Sequence, residues 1–439
     1  MNQFIFEDKQ KRFCFGLMAL GLICLVWSYF AEPEQVAAAG VHMRFWSNLL
    51  HNAVFFTGIA FMVTFVWAAF TTAYAGWHVA FKRVWEGFML FLIPGVIIML
   101  ILGLGNFFHL HHLYHWADAE AVKTDEILQG KSSFLNNYWY FFGTLIIAGG
   151  WAFFARKFRE LSLREDEQGQ QVENFAFHRK TRFFAAAFLP IAAFTGPAMV
   201  WQWFMSVDAH WYSTLYAWYS MASWFLAAIS LTILLVIYLK SKGYLENVTK
   251  EHLHDLSKYV FAITIFWTYC WFSQYMLIWY ANIGEETIYF KERLDHYPVL
   301  YYGNLIMNFV LPFLILIMNT PKRRTGTLVF TSLLVFVGHW WDYFYMIKPG
   351  TFTTAREAAA HAGGAAEGGH GAAAGHGAEA GYGFVSGFTI PGLLEIGIML
   401  GFLGFFIWFV FRQMEKASLT PKNDPYLEES LHHTVQPYE

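Results

Sequence analysis

Long runs of apolar residues dominate this chain, and most polar residues collect in the segments between the runs. A helix needs about 20 apolar residues to cross a hydrocarbon core of about 30 Å. Ten runs are near or above that length: 13–30, 46–74, 85–108, 134–154, 183–204, 214–239, 259–283, 301–318, 325–346 and 390–411. Only helices and closed barrels satisfy the backbone in lipid, and these runs are too long for barrel strands. The pattern therefore predicts an all-α, polytopic integral membrane protein with about ten transmembrane helices.

Composition supports a membrane location and limits the cofactors that the chain can bind. Charged residues make up only 14% of the 439 residues, against about 25% in ordinary soluble domains. The cysteines Cys14, Cys24 and Cys270 form no CxxC or CxxCH motif. These spacings predict no iron–sulfur cluster and no c-type haem in this chain, so any such centre would belong to a partner.

The basic residues predict the orientation of the spans. If the N-terminus is cytoplasmic, 22 of the 29 Lys and Arg residues fall in cytoplasmic segments. This is the bias that the positive-inside rule describes, so both termini are predicted to be cytoplasmic. The first apolar run is longer than the core of a signal peptide, and we expect it to be a retained anchor.

Two segments between the runs have the composition of soluble chain. Residues 155–182 form a charged cytoplasmic loop. Residues 355–383 are rich in Ala, Gly and His, and they can bury too little apolar surface to fold into a core. His361, His370 and His376 lie in this tract, where a metal site is an alternative to a solvated, flexible linker. We expect the linker, and no metal in the chain.

Ionisable residues inside transmembrane spans are costly and usually functional. Six of them gather towards the extracytoplasmic ends of the predicted spans: His51, Asp208, His210, His339, Asp342 and Glu395. His339 and Asp342 are three residues apart and share a helical face. Glu395 lies among apolar residues beside Gly397 and Gly401, a GxxxG pattern that brings another helix close. These six are the candidates for a quinone site or a proton path.

Each candidate has a structural alternative. His51 is equally compatible with a packing role, and Asp208 and His210 with solvated positions at the membrane surface. Near the cytoplasmic face, Glu86 is predicted to be an interfacial residue whose carboxylate reaches water. The group from His109 to His115 is predicted to be a wet loop or a docking surface rather than a metal site.

The stretch WQWFMSVDAHWYST, residues 201–214, places Asp208 and His210 among aromatic rings at the end of an apolar run. On one continuous helix the two side chains would be about 200° apart. They can share a site only if the helix ends between them, as Ser213 and Thr214 at the start of the next span suggest. We then expect both side chains to turn towards Glu395, in a site that suits a quinol.

Three stretches carry a resemblance to a known family. They are WFMSVDAHWYSTLYAWYSMASWFLAA (203–228), GHWWDYFYMIKPG (338–350) and PGLLEIGIMLGFLGFFIWF (391–409). In this order and with ten spans, the chain resembles the quinone-interacting membrane subunits of alternative complex III, relatives of the NrfD-like polysulfide reductase membrane subunits. The His/Ala/Gly loop and the C-terminal tail are most similar to the ActF type.

The resemblance implies two four-helix bundles with flanking helices. The division would be an anchor (1–45), a first bundle (46–212), a second bundle (213–348), a flexible loop (349–389), and a last helix with a cytoplasmic tail (390–439). It also implies a bacterial inner membrane, with menaquinol or ubiquinol as ligand. The partners would be multihaem cytochrome c and iron–sulfur subunits, a homologous membrane subunit, a terminal oxidase and the bilayer, with no nucleic acid.

The chain departs from this family at one place that matters for function. Relatives commonly read Trp-x-Glu-Arg at the end of the ninth span, where this chain reads Trp340, Trp341, Asp342 and Tyr343. Two functions therefore stay open: a quinol-binding subunit, and a quinone-silent scaffold that conducts protons. A membrane di-iron hydroxylase is a remote third, because only one histidine cluster is present.

Overall fold

A computed structural model of the chain describes residues 3–37, 42–168, 175–362 and 385–434. Its first nine α-helices are α1 (Asp8–Phe30), α2 (Glu34–Ala37), α3 (Met43–Thr72), α4 (Lys82–Met89), α5 (Leu92–Phe107), α6 (Ala119–Thr124), α7 (Glu126–Lys131), α8 (Gly149–Gln168) and α9 (Ala176–Trp203). The others are α10 (Thr214–Ser241), α11 (Lys250–Ala281), α12 (Gly284–His296), α13 (Pro298–Leu305), α14 (Leu311–Leu316), α15 (Thr325–Ala362), α16 (Leu393–Met414) and α17 (Leu427–Leu431).

The all-α, polytopic class is confirmed. Over the described ranges the only β pairing is two isolated bridges, Gln3 with Ser418 and Ser386 with Ile390. Eight helical segments there are long and apolar enough to cross a membrane: Asp8–Phe30, Met43–Thr72, Val79–Phe107, Ala176–Val207, Thr214–Ser241, Lys250–Ala281, Pro298–Leu316 and Leu393–Met414. The predicted spans 134–154 and 325–346 fall in helical segments that are not among these eight.

Two central helices organise the packing. In α3, 83% of the most apolar window is buried, and in α10 the share is 78%, whereas in α1 it is 22%. Helix α3 packs against α5 and α9, and α10 packs against α11 and α15. Helix α3 also contacts α10 and α15, so the two sets of helices share one interface.

The outermost pair, α1 and α16, meets along a strip of small residues. A Cβ atom added to Gly401 would lie 2.5 Å from the Cα of Gly21, and one on Gly397 would lie 2.4 Å from the Sγ of Cys24. Such a close approach is possible only without side chains at these positions. The prediction that Gly397 and Gly401 bring another helix close is confirmed, and that helix is α1.

We call the membrane face that the basic residues predict to be cytoplasmic the inner face, and the opposite one the outer face. The C-terminal tail lies along the inner face. Its Asp424 pairs with Lys82, Ser430 Oγ donates to Trp77 O at 2.8 Å, and His433 binds Asp255 at 2.7 Å. The Ala/Gly/His tract begins as helix up to residue 362, and residues 363–383, with His370 and His376, lie outside the described residues.

Candidate functional site

The connection between α9 and α10 contains both Asp208 and His210. Helix α9 ends at Trp203, a short 3-10 turn follows, and α10 begins at Thr214. The helix therefore ends before both residues, and not between them as was predicted. The two side chains bind different partners, as the next two contacts show.

Asp208 forms an ion pair with an arginine that no sequence pattern singled out. Its Oδ2 accepts from Nη2 of Arg293, on α12, at 2.8 Å. The Arg293 side chain has no exposed surface, and its guanidinium lies 3.4 Å from the ring centroid of Tyr289. Burial opposes the charge of Arg293, but Asp208 together with Tyr289, Tyr345 and Glu292 raises the pKa of Arg293. The pair holds α12 against the end of α9.

His210 points to the outer loop instead. Its Nε2 donates to Oδ2 of Asp125 at 2.5 Å, and about half of its side chain is exposed. Burial alone would raise the pKa of Asp125, but the hydrogen bond from His210 lowers it. His210 is a solvated loop residue, which was one of the two readings of its sequence.

Glu395 binds a third set of partners. Its carboxylate accepts from Nε of Arg44 at 2.9 Å, from Nδ2 of Asn48 at 3.0 Å and from its own helix cap, Gly392 N, at 2.9 Å. Lys348 completes the cluster by donating to Oδ1 of Asn48 at 2.6 Å. Glu395, Arg44, Asn48 and Lys348 are all buried.

The expectation that Asp208, His210 and Glu395 form one group is wrong. Each carboxylate already has a basic partner, Arg293 for Asp208 and Arg44 for Glu395, and His210 has Asp125. The physical reason is that a buried charge costs several kcal/mol unless it is paired. A group of two acids and an imidazole would leave buried negative charge without a cation.

One ring nitrogen of His51 makes a hydrogen bond within the helix packing, and the other makes none among the described residues. Its Nε2 donates to the carbonyl oxygen of Trp340 at 2.9 Å, and its ring lies 4.9 Å from the Trp340 ring. Its Nδ1 is buried without a hydrogen bond among the described residues. His51 thus joins α3 to α15, beside the last two candidates.

The last two candidates, His339 and Asp342, lie at the centre of the second set of helices. The Asp342 site, as we call it, consists of Asp342, His339, Tyr219, Trp267 and Asn304. Asn304 Nδ2 donates to Oδ1 of Asp342 at 2.6 Å, Trp267 Nε1 donates to Oδ2 at 3.0 Å, and the Tyr219 hydroxyl also donates to Oδ1. All five residues are buried, and they come from α10, α11, α13 and α15.

A local irregularity in the helix supplies the amide of this site. Residues Ile306–Val310, between α13 and α14, form a π-helical turn. Asn308 in that turn donates to Oδ1 of Asn304 at 2.5 Å and to the carbonyl oxygen of Gly338 at 2.9 Å. These bonds fix the Asn304 amide so that its nitrogen faces Asp342. Such π-turns are frequent at functional sites.

The charge balance of the Asp342 site sets its chemistry. Among the described residues, no Lys or Arg lies within 4.0 Å of the Asp342 carboxylate. The nearest basic side chain is His339, whose Nδ1 is 3.8 Å from Oδ2 and is hydrogen-bonded to Ser223 Oγ at 2.9 Å. Because an unpaired buried charge is costly, one proton is needed to neutralise Asp342 and His339 together. The arrangement can hold a proton and pass it on.

A ladder of aromatic rings leads from this site to the outer face. The Tyr219 ring lies 6.1 Å from the ring of Tyr216, which lies 5.6 Å from the ring of Trp211. Trp211 stacks on Tyr289 at 3.8 Å. The guanidinium of Arg293 also lies over the ring of Tyr289, so the ladder ends at the Asp208–Arg293 pair.

Glu86 corrects another expectation. It was predicted to reach water at the inner face, but it has no exposed surface. Its carboxylate accepts from Nη1 of Arg83 at 2.8 Å, from Nη1 of Arg159 at 2.5 Å and from Ser162 Oγ at 2.6 Å. Two arginines and a hydroxyl replace the water that a snorkelling acid would need, and they tie α4 to α8.

The outer histidine cluster divides by burial. His111 is buried and binds the carbonyl oxygen of Leu102 at 3.1 Å, whereas His109 is exposed. Burial lowers the pKa of His111 to about 4. The part of the chain that the structure describes contains no group of three His, Cys, Asp or Glu side chains placed to hold a metal ion.

A quinone site also requires a cavity large enough for the quinone ring. A cavity of about 20 Å³ lies at the inner face, lined in part by Lys82, Glu165 and Asp424. That volume holds about one water molecule and no quinone ring. Neither this cavity nor a surface groove beside Gln3 is lined by His210 or Asp342.

Comparison with known proteins adds no family. No protein-family model matches this chain, and no curated protein does. The indications of function are therefore the sites themselves and the resemblance carried by residues 203–228, 338–350 and 391–409.

Several residues of these sites were missed from the sequence. Asn304 and Asn308 are four residues apart in an apolar run, a spacing that puts two amides on one helical face and could have been noticed. Arg44 and Lys348 lie next to apolar runs, where basic residues are commonly found at the ends of membrane spans and do not by themselves indicate a site. Arg293 lies in a polar segment that the span pattern does not place.

Proposed function

We propose that this chain is a membrane subunit of a quinol-oxidising respiratory complex of the alternative complex III type. Within it, the chain conducts protons through the Asp342 site and does not itself oxidise quinol. The observation that carries the proton path is the buried Asp342 carboxylate with neutral donors and one histidine around it.

A proton path requires groups that can bind a proton and let it go. Glu395 and Asp208 are each paired with an arginine, Arg44 and Arg293, at 2.8–2.9 Å, so a proton on either acid would break an ion pair. Asp342 has no such cation among the described residues. A buried acid without a fixed counter-charge is the group whose protonation changes most readily with its surroundings.

The aromatic ladder supplies a direction for release. Phenol and indole groups from Tyr219 to Tyr289 lead towards Asp208, whose side chain is 17% exposed. Phenolic hydroxyls both donate and accept, so a proton can pass from Tyr219 to Tyr216 and on to Tyr289, which is hydrogen-bonded to Tyr216, without using Trp211. Protons leave the path beside Asp208 at the outer face. Asp208 therefore marks the end of the path and does not itself need to bind a proton.

Quinol oxidation by this chain has less support. His210, the histidine expected to accept a proton from quinol, is exposed and bound to Asp125. The change from Glu-Arg to Asp342 and Tyr343 also removes a cation from the position that the family resemblance emphasises. We therefore assign quinol, haem c and iron–sulfur chemistry to partner subunits, with both termini of this chain in the cytoplasm.

The test uses the assembled complex from the native membrane. Asp342→Asn keeps the shape but cannot exchange a proton; its amide oxygen can still accept from Asn304 and Tyr219, and its amide nitrogen cannot accept from Trp267. In proteoliposomes we expect electron transfer from quinol to continue, and protons released per electron to fall to the value set by quinol chemistry alone. Asp295→Asn, at an exposed position of α12, is the control. An unchanged proton-to-electron ratio in an assembled Asp342→Asn complex would refute the proposed path.

A further inference from the structure

One buried histidine near the inner face has no role in the packing described so far. Only 3% of the His254 side chain is exposed, and neither of its ring nitrogens has a hydrogen bond among the described residues. Buried polar groups are satisfied in the large majority of cases, so an imidazole with two unused nitrogens needs an explanation.

The charges around His254 are well defined. Its Nδ1 lies 3.9 Å from a carboxylate oxygen of Glu251 and 3.9 Å from one of Asp255, both on its own helix, α11. Arg323, from the turn before α15, binds Glu251 at 2.9 Å. Asp255 also binds Lys258, at 2.8 Å, and the tail residue His433. The two acids face the imidazole, while the cations lie beyond them.

Helix α11 connects His254 with the Asp342 site. Ser257 lies one turn beyond His254, and Thr264 and Trp267 follow on the same buried side. The Thr264 hydroxyl is buried without a hydrogen bond among the described residues, and Trp267 donates to Asp342. The rise from His254 to Thr264 is about 15 Å at 1.5 Å per residue.

We propose that His254 takes up protons from the inner face and supplies them to the Asp342 site. This inference rests on the proposed function. A proton passes from inner water to a ring nitrogen, where an N–H bond forms as an O–H bond of hydronium breaks. Glu251 and Asp255, each 3.9 Å from Nδ1, favour the resulting imidazolium, and the neighbouring cations Arg323 and Lys258 oppose it. The proton then moves along the buried side of α11 towards Thr264, past the Ser257 hydroxyl, which donates to the carbonyl oxygen of His254 at 2.6 Å.

A nearby histidine shows what a purely structural role looks like. His252, two residues earlier, is also buried, but its Nδ1 accepts from the backbone N of Thr249 at 3.0 Å and its Nε2 lies 3.4 Å from Ser430 Oγ. Both of its nitrogens have protein partners that cap α11 and hold the tail. His252→Gln should therefore affect stability and leave proton uptake alone.

The experiment measures proton uptake from the inner side by the assembled complex in proteoliposomes. We expect His254→Gln to slow uptake about 10²-fold, the low end for a lost acid–base group, with electron transfer to the acceptor retained when the membrane is made proton-permeable. Imidazole added on the inner side should restore uptake in His254→Gln. It should not restore uptake in Asp342→Asn, in which the later site is lost.

The outcomes separate the two proposals. Uptake at the wild-type rate in His254→Gln, together with loss in Asp342→Asn, would overturn the role of His254 and leave the Asp342 path in place. Wild-type behaviour of both variants would overturn both. If His254→Gln fails to assemble, Asp255→Asn tests the same step near the surface: slower uptake supports it, and wild-type uptake overturns it.

Discussion

The Glu395 cluster gives the sharpest prediction about stability. Its four side chains carry two cations, Arg44 and Lys348, and the carboxylate of Glu395, with Asn48 between them. Glu395→Gln preserves the shape but leaves Arg44 buried without its paired carboxylate, with Glu32 as the remaining acid near Arg44 and Lys348. Arg44→Gln leaves Lys348 to balance Glu395. We therefore expect the loss of Glu395 to cost more than the loss of Arg44.

The size of the effect follows from burial. Removing one partner of a buried ion pair costs about 3–5 kcal/mol. For 439 residues, about 2.1 cal/mol/K per residue gives an unfolding entropy of about 0.9 kcal/mol/K. A loss of 3–5 kcal/mol then lowers the melting temperature by about 3–5 °C.

The chain carries its own reporters for this measurement. Cys14, Cys24 and Cys270 are free and buried, so a thiol-reactive fluorophore reports unfolding in detergent. Glu285→Gln, at an exposed position, is the matched control and should leave the melting temperature unchanged. Arg44→Gln combined with Glu395→Gln should cost less than the sum of the single changes. Additive losses, or a Glu395→Gln melt at the wild-type temperature, would refute the reasoning.

Further predictions use the same thermal assay. Gly401→Val should lower the melting temperature, because its side chain would meet the backbone of Gly21, whereas the same change at the open position Gly16 should not. Burial lowers the pKa of His111 to about 4 from 6.5, so the unfolded chain binds this proton first and stability falls as pH drops from about 6.5 to 4, by up to about 3 kcal/mol. His111→Gln should flatten that part of the pH profile, and an unchanged slope would exclude it as the cause. Asp208→Asn should destabilise the chain by leaving Arg293 buried and unpaired, at about 3 kcal/mol; full stability would contradict that pairing.

The fold was largely predictable because apolar runs leave few choices. A run of about 20 apolar residues must become a helix in lipid, and the Gly397–Gly401 pattern correctly indicated a close helix neighbour. The number of spans was harder to predict. The stretch 134–154 is divided between a π-helical segment, Trp139–Ala148, and the start of α8, an irregularity that hydrophobicity does not encode.

The site was predictable only in part, because depth can be read from a sequence and partners cannot. The positions of His339 and Asp342 on one face of a span correctly placed them together. Asp208 and its partner Arg293 are separated by 85 positions in the sequence, and Glu395 and its partner Arg44 by 351 positions. Such contacts are set by how helices pack, which local patterns do not specify.

The central claim is that Asp342 binds and exchanges a proton, and infrared spectroscopy tests it most directly. Difference spectra of the assembled complex should show a protonated carboxyl C=O band that changes during quinol oxidation and shifts in heavy water. The account predicts that this band disappears in Asp342→Asn and remains in the Asp295→Asn control. A band that persists unchanged in an assembled Asp342→Asn complex would contradict the account.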